Sequence, residues 1–508
     1  MWIMREKTAG IAVAVMVINV LSRALALVAN SLITASFGAN SLTSAYSFAI
    51  TLAGIITTII GTTLTTSVIP IYTELKETGD NKRTAAFLNN TVSLTVIVSL
   101  SMIFIGVVAA PLIAKIAGKG DYDFSVYATR ILLFSILFMS LYYIFSGILQ
   151  ANNRFFLAAA VSIPSSLCSM IYIFVFSAKY GVAGLVVATL VGYFAQAAIL
   201  APALPSVGCR LGLSFHYKNE DMRKIFRVVA PVIIGICAYQ INILTNSSIA
   251  FGYDTENYIV LNNAQNLGVQ IVMTMTLAIA SVIYPKLATL TAKKDEEGFI
   301  RLMVSTLNGI ILLLVPLTFG FFLLGHDFID LIYGYGKFTE ENVRLGGSVF
   351  SLYALGILGI GFKEITDRAF YARKNTKFSA LNGVVIMAVN IILSIIFVRI
   401  WGLCGIAAAY SVAALVGGVN IIFLFKKKYG DLTARPILKA LLKALCAAAV
   451  MTPAVILIGK AVPSGSKLGL LIRLAASGGG GALVYALTLI VLKTEEITEF
   501  INKGDRKK

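Results

Sequence analysis

The sequence predicts an all-α integral membrane protein with fourteen transmembrane helices, arranged as two pseudo-symmetric six-helix lobes and two additional C-terminal helices. Three observations support this fold class: 58% of the 508 residues are hydrophobic, only 13% are charged, and the mean hydropathy is +0.86. Soluble globular chains are close to a quarter charged. Because each helical crossing takes about 20 to 25 residues, a chain of this length leaves no room for a sizeable soluble domain.

Long apolar runs, each closed by charged or turn-forming residues, predict the individual transmembrane helices. The first run continues without the cleavage site of a signal peptide, so we expect a retained helix. The fourteen predicted helices cover residues 9–37, 42–70, 86–116, 124–150, 155–178, 181–207, 225–250, 257–290, 298–325, 344–371, 377–399, 402–425, 436–459 and 468–492.

The distribution of basic residues predicts the orientation of these helices. Of the 42 Lys and Arg residues, 30 lie at the two termini and at the connections on the same side, eight lie at the opposite connections, and four lie deeper. Because Lys and Arg concentrate on the cytoplasmic side of a membrane, this asymmetry predicts that both termini are cytoplasmic. The net charge of +18 therefore reflects orientation, and we expect no nucleic-acid partner.

Two parts of the chain repeat each other. A shift of 221 residues aligns residues 180–185 with 401–406, and the same shift aligns 150–152 with 371–373. Helices 1–6 and 7–12 therefore form two copies of one unit with the same orientation, related by an axis along the membrane normal. The predicted regions are an N-terminal lobe at 1–207, a C-terminal lobe at 208–430, and two additional helices with a basic cytoplasmic tail at 431–508.

The two-lobe organisation favours a transporter over an enzyme. Two lobes of this kind usually meet around a cavity that opens to one side of the membrane and then to the other. An enzyme would need a catalytic acid and normally a large exposed loop, yet the longest outside connection is the segment 326–341. We expect no catalytic residues, and we interpret the acids of that segment as solvated loop charges: Asp327, Asp330, Glu340 and Glu341.

Cysteines and histidines give no support to metal-dependent chemistry. The five cysteines show no CxxC or metal-ligand spacing, and the two histidines, His216 and His326, lie in polar connections. We therefore expect no metal site and no cofactor. Coupling to the membrane potential or to a monovalent ion stays open as the driving force.

Arg23, mid-way along the first predicted helix, is the strongest candidate for a substrate contact. A charge at that depth costs at least about 2.5 to 3.5 kcal/mol and is retained mainly where it faces a cavity or a partner. The structural alternative is a guanidinium satisfied by backbone carbonyls within the bundle. Arg130 lies near a helix start, from which its side chain can reach the membrane surface, and Arg473 has the same ambiguity.

Polar amides on predicted helices 7 and 8 indicate a hydrated cavity, because lipid does not tolerate so many of them. Asn262, Gln265 and Asn266 share one helical face at i, i+3 and i+4. Hydrogen bonding between helices is the alternative and would explain two or three of the amides. The full set of predicted cavity residues is Arg23, Asn30, Thr57, Gln240, Asn242, Asn262, Gln265 and Asn266.

In predicted helix 10 the run 363–368 contains four charged residues, Lys363, Glu364, Asp367 and Arg368. The i,i+4 spacing brings Lys363 beside Asp367 and Glu364 beside Arg368. Such pairs can neutralise each other, and both a purely structural role near the cytoplasmic membrane edge and a role in a gate fit the pattern.

Three segments, at 331–339, 353–356 and 368–376, resemble the second-lobe signature of the lipid II flippase family, MurJ/MviN, of the multidrug/oligosaccharidyl-lipid/polysaccharide exporter superfamily. Ser22-Arg23 ahead of Phe37-Gly38-Ala39 is similar to a further family position. The resemblance implies an inner-membrane protein that moves an undecaprenyl-pyrophosphate-linked peptidoglycan precursor from the inner to the outer leaflet by alternating access. Its expected partners are a lipid-linked anionic glycan and the bilayer, and we expect it to function as a monomer.

Arg23 is the one cavity cation of the family pattern that carries over cleanly to this sequence. A pyrophosphate needs cations, so a reduced set leaves a flippase for another lipid-linked oligosaccharide as the alternative. A multidrug or cation antiporter is a third, less favoured hypothesis. The family's lumen usually has further arginines on helices 1, 2 and 8 and an acid on helix 2, where this sequence has Ala29, Thr57 or Thr58, Asn266 and Ser44.

Overall fold

A computed structural model describes residues 2–117, 121–152, 162–207, 220–430 and 434–494, together with residues 154, 156, 157, 160, 209, 212 and 214. Every regular element in these residues is a helix, which confirms the all-α prediction. The predicted start of helix 5 at residue 155 and the basic tail from residue 495 lie outside the described residues. So does His216.

Sixteen α-helices follow one another in the described residues. The first eight are α1 (Trp2–Phe37), α2 (Ser41–Glu77), α3 (Asn81–Ala117), α4 (Tyr122–Leu133), α5 (Ser135–Ala151), α6 (Ile163–Val175), α7 (Ser177–Leu200) and α8 (Glu220–Tyr253). The others are α9 (Tyr258–Ala292), α10 (Glu296–Tyr333), α11 (Glu340–Ala354), α12 (Ile357–Ala372), α13 (Thr376–Trp401), α14 (Leu403–Tyr429), α15 (Ala434–Ala461) and α16 (Lys467–Val491).

Many of these helices are long and apolar enough to cross a membrane. In the part of the chain that the structure describes there are 11 such segments, or up to 12 when the bent pair α11 and α12 counts as one span. The chain is therefore a multi-pass membrane protein. The predicted number of fourteen is not reached by this criterion, because α6 has only 13 residues and α8 is not among the 11 segments.

Two helix breaks occur at equivalent positions of the sequence repeat. Phe134 separates α4 from α5 with φ −63° and ψ −21°, and Leu355, 221 residues later, separates α11 from α12 with φ −62° and ψ −25°. At both breaks the backbone N–H bonds to the carbonyl three residues earlier, which tightens the helix locally. The second pair of helices bends by 41°. The repeat is thus visible in local backbone conformation.

Two glycines make a second pair of equivalent positions. Gly181 has φ 54° and ψ −146°, and Gly402, again 221 residues later, has φ 60° and ψ −140°. A side chain at such positive φ clashes with the backbone, so the conformation belongs to glycine. Gly402 turns the chain from α13 directly into α14 without a loop, and Gly181 makes the equivalent kink within α7.

We expect Gly402→Ala to lower the free energy of unfolding by about 1 to 3 kcal/mol, the cost of a non-glycine residue in this conformation. Gly383→Ala is the matched control, since an added Cβ meets nothing within 4 Å at that position of α13. The control should be neutral or slightly stabilising. Thermal unfolding of the two purified variants measures the difference, and equal midpoints would contradict the assignment.

The chain divides into two compact units. Unit 1 consists of Met1–Ile259 with Tyr335–Phe338, and unit 2 consists of Val260–Gly334 with Thr339–Lys508. In unit 1, α2 packs against α4, α5 and α8; in unit 2, α14 packs against α12 and α13, and α10 packs against α15. The predicted lobes follow the sequence repeat, whereas these units follow packing. α8 therefore falls in unit 1, although it opens the second repeat.

Candidate substrate site

Arg23 lies on the exposed side of α1. The preceding residue, Ser22, is buried, and its Oγ accepts a hydrogen bond of 3.1 Å from the backbone N–H of Ser162, just ahead of α6. Consecutive helical residues point about 100° apart, so the bond that holds Ser22 against α6 turns Arg23 away from it. Arg23 is exposed within a candidate span, Val17–Phe37. An arginine in such a place needs water or an anionic partner.

The other two predicted residues of the first two helices differ in accessibility. Asn30 is exposed and lies seven residues after Arg23, on the same face of α1 two turns further along. Thr57 is buried in α2, and its hydroxyl donates to the Ala53 carbonyl oxygen at 2.8 Å. The hydroxyl proton of Thr57 is therefore used within its own helix, whereas Arg23 and Asn30 are both accessible on α1.

Both predicted amides of α8 are buried. Gln240 and Asn242 are each 5% exposed, on a helix that packs against α2. Within the described residues, Oδ1 of Asn242 is a buried acceptor without a hydrogen-bond partner. An unsatisfied buried acceptor costs about 1 to 3 kcal/mol, a cost that contact with a polar ligand would remove.

The predicted polar stripe on α9 lies on one accessible face within unit 2. Asn266 is exposed and Asn262 and Gln265 are half-buried, while Asn263 between them is buried. The Asn266 amide nitrogen donates to Oδ1 of Asn262 at 2.5 Å, as their i,i+4 spacing allows. The stripe therefore consists of neutral side chains, two of which, Asn262 and Asn266, hydrogen-bond to each other along the helix.

The charged residues of α12 form the predicted network. Nζ of Lys363 lies 2.9 Å from Oδ2 of Asp367 and 2.9 Å from Oε1 of Glu364, and Nη2 of Arg368 lies 3.9 Å from Oε2 of Glu364. Ser379 of α13 donates a hydrogen bond to the other oxygen of Asp367. Glu364 and Asp367 are both buried, so the network neutralises two carboxylates inside unit 2.

The interpretation of Asp327 and Asp330 as solvated loop charges is wrong. α10 continues to Tyr333, so both acids and His326 are helical, and Asp327 is only 8% exposed. Asp327 lies 3.1 Å from Nε of Arg473, and Asp330 lies 2.7 Å from Nζ of Lys467. The two ion pairs join the end of α10 to α16, which gives Arg473 a structural role.

Ser44 is a connecting residue that the sequence did not reveal. It is fully buried at the start of α2, where its Oγ donates to the Glu256 carbonyl oxygen at 2.9 Å and accepts from the Ile259 N–H at 3.1 Å. The neighbouring ring of Phe48 stacks on Phe251 with centroids 4.7 Å apart. The Ser44 hydroxyl ties α2 to the connection between α8 and α9 within unit 1.

The fold and these polar groups define the class of protein: a polytopic helical membrane protein with two repeats and polar side chains set into apolar helices. The family model described as lipid II flippase MurJ matches residues 33–475. The chain therefore belongs to the lipid II flippase MurJ family.

Relatives of known name agree with this assignment. The chain is 25% identical over 360 residues to a probable lipid II flippase MurJ of Treponema pallidum, covering 70% of this chain and 68% of the relative. It is 24% identical over 488 residues to a probable lipid II flippase MurJ of Thermotoga maritima, covering 95% and 96%. The resemblance inferred from the segments at 331–376 is thus confirmed over most of the chain.

Solved structures share the fold. A lipid II flippase MurJ in an inward closed conformation superposes with a TM-score of 0.80 at 21% identity, covering 96% of this chain and 100% of that chain. An inward-facing multidrug resistance MATE family transporter of the MOP superfamily gives 0.68 at 15% identity, covering 83% and 99%. The fold is therefore common to flippases and drug transporters, and the family model distinguishes between them.

Proposed function

We propose that this protein is a transporter, not an enzyme, that moves lipid II, the undecaprenyl-pyrophosphate-linked peptidoglycan precursor, from the inner to the outer leaflet of the bacterial inner membrane. Family membership supports the substrate. The observation that carries the proposal is Arg23, an exposed cation within an apolar span and next to a serine that fixes its direction. Transport by alternating access, fourteen crossings, cytoplasmic termini and function as a monomer belong to the same proposal.

The chemistry of the substrate matches the types of side chain that are accessible. A pyrophosphate carries negative charges that charge-assisted hydrogen bonds from a guanidinium stabilise, and Arg23 supplies that group. Sugar hydroxyls need neutral donors and acceptors, which Asn30 on α1 and the amides of α9 provide. The ion pairs of α12 would stabilise unit 2 or serve as a gate, and no metal or organic cofactor is required by this scheme. The membrane potential or a monovalent ion would drive the transport cycle.

One observation favours a second candidate, a flippase for another lipid-linked oligosaccharide. Asn262 and Asn266 are neutral and paired with each other where the family pattern has a cation. A site with fewer cations suits a glycan lipid whose head group carries less charge. Transport assays with both kinds of lipid separate the two candidates.

Depletion of the protein in its host tests the proposed function directly. If it flips lipid II, the precursor should accumulate in the inner leaflet and cell-wall synthesis should stop before lysis. Re-expression of the intact chain should reverse both effects. Normal precursor levels during depletion would reject lipid II as the substrate.

The proposed orientation predicts which engineered cysteines react with membrane-impermeant reagents. Asp80→Cys, between α2 and α3, and Lys428→Cys, at the end of α14, should be labelled only after the membrane is opened. Glu340→Cys, at the start of α11, should be labelled in intact cells. All three positions are exposed, so the labelling of each variant can be compared with that of the unmodified chain and its five native cysteines. The reverse pattern would refute cytoplasmic termini.

Asn266→Arg tests whether the accessible face of α9 meets an anionic substrate. On a hydrated face the new guanidinium is tolerated, and it should strengthen precursor binding by adding a charge-assisted hydrogen bond. Asn263→Arg is the matched control. Asn263 lies on the same helix but is buried, so a charge there should remove most of the folded protein. Yield, thermal stability and precursor binding are measured for both. A misfolded Asn266→Arg would remove α9 from the site.

A further inference from the structure

A cavity of about 540 Å³ opens between α3 and α4 in unit 1. It lies near the connection of the two helices and contains no residue of the proposed substrate site. Its lining combines apolar side chains with two tyrosines, one acid and one arginine: Pro111, Val126, Ile131, Tyr122, Tyr127, Asp123 and Arg130.

Arg130 bonds to a backbone carbonyl oxygen of α3 that a proline leaves without its helical donor. Pro111 has no N–H, so the carbonyl oxygen of Val107, four residues earlier in α3, lacks its usual helical donor. Nε of Arg130 donates to that oxygen in a long hydrogen bond of 3.4 Å. This bond uses one of five donors, so the exposed guanidinium keeps its two terminal nitrogens for another acceptor.

The surroundings of this guanidinium are apolar. α3 and the helix pair α4 and α5 are both candidate spans, and Arg130 lies about 12 Å along α4 from its start. The neighbouring stretch of α3 exposes large apolar side chains, with Phe104 71%, Ile105 60% and Val108 65% exposed. A surface of this kind in a membrane span faces lipid. A charge there is costly unless it meets an anion, and the anion at hand is the phosphate of a phospholipid.

Asp123 adds a charge of opposite sign to the same cavity. It precedes Arg130 by seven residues, which puts both on one face of α4 about 10 Å apart along the helix axis. Helical side chains lean toward the start of their helix, so the long Arg130 side chain covers part of that distance. Among the ion pairs of the described residues, none joins Arg130 to Asp123. The cavity therefore contains a cation and an anion that do not form an ion pair with each other.

We propose that this cavity binds one zwitterionic phospholipid, with its phosphate on the Arg130 guanidinium and its ammonium group on the Asp123 carboxylate. Tyr122 and Tyr127 flank the head group as amphipathic residues of the membrane interface, and the Tyr127 hydroxyl is already fixed by the Ala183 carbonyl oxygen at 3.3 Å. An anionic lipid such as phosphatidylglycerol fits less well, because its phosphate would gain from Arg130 while its neutral glycerol head group offers Asp123 no ammonium partner.

Native mass spectrometry of the delipidated full chain tests the site. The probes are phosphatidylethanolamine, phosphatidylglycerol and diacylglycerol with identical acyl chains. We expect one phosphatidylethanolamine to bind about tenfold more tightly than diacylglycerol, with phosphatidylglycerol between them. Arg130→Gln should lose this advantage over diacylglycerol, and Asp123→Asn should lose the preference over phosphatidylglycerol. Lys115→Gln, an exposed cation of α3 outside the cavity lining, should bind like the wild type.

Three results would overturn the proposal. Diacylglycerol binding as tightly as phosphatidylethanolamine would show an apolar groove without head-group recognition, and phosphatidylglycerol binding equally well would exclude the role of Asp123. Unchanged lipid binding by Arg130→Gln would exclude the role of Arg130. Arg130→Lys guards against a folding defect, because it keeps the cation and should keep the preference for phosphatidylethanolamine at a normal thermal midpoint.

Discussion

Arg23→Ala is expected to abolish transport at normal protein levels. The alanine variant removes the exposed cation of α1 and leaves the pyrophosphate facing neutral amides, which cannot offset its charge. Removing one partner of a charge-assisted contact that the bound ligand buries costs about 2 to 5 kcal/mol, which corresponds to a loss of about 30-fold to 4,000-fold in affinity. The measurement is complementation of a depleted strain, followed by lipid II translocation in reconstituted vesicles.

Two further variants determine whether charge or shape matters at this position. Arg23→Lys keeps a cation without the bidentate geometry and should retain part of the activity. Leu21→Ala, two residues earlier and 60% exposed on the opposite side of α1, controls for general damage to the helix and should transport normally. Full activity of Arg23→Ala would remove the residue from the proposed site.

Lys363→Ala is expected to lower the free energy of unfolding by about 3 to 5 kcal/mol. The substitution leaves two buried carboxylates without their shared lysine: Glu364 keeps the 3.9 Å contact of Arg368, and Asp367 keeps the hydrogen bond from Ser379. Lys363→Arg keeps the charge and should cost much less. Thermal unfolding of the purified variants measures the effect, and an unchanged midpoint for the alanine variant would show that the network contributes nothing to stability.

A neutral quadruple variant separates the structural role of this network from a role in a gate. Lys363→Met combined with Glu364→Gln, Asp367→Asn and Arg368→Gln removes all four charges without leaving one unpaired, so most of the stability should return. If the network is only structural, this variant transports substrate. A variant that folds but does not transport would instead assign the charges to a gate.

The helical architecture followed from composition because a membrane crossing must satisfy its backbone hydrogen bonds within the helix. The ends of the helices are harder to predict, because hydrophobicity marks only the part of a helix that crosses the membrane and not its full length. Predicted helix 2 ends at residue 70, but α2 continues through Pro70 to Glu77 as an amphipathic extension that buries Ile71, Tyr72 and Leu75. α10 similarly continues from 325 to Tyr333.

The parts of the site that could be predicted are those set by local spacing. The pairing of Lys363 with Asp367 and of Asn262 with Asn266 follows from helical periodicity alone. Asp327 and Arg473, by contrast, are far apart in sequence and meet only because α10 packs against α16. The available signal was the apolar periodicity after Asp327, which continues the helix and places the acid on its packed side. Ser44 gave no comparable signal.

The glycine turn at Gly402 has a mechanical consequence for unit 2. α13 and α14 meet in a single residue whose conformation is fixed, and at their other end the Asn420 amide donates to Oδ1 of Asn382 at 2.8 Å. Because the two helices are joined at one end by Gly402 and at the other by this hydrogen bond, a displacement of one helix displaces the other. The pair is therefore expected to move as one rigid body, and any joint that bends during the proposed transport cycle has to lie outside this hairpin.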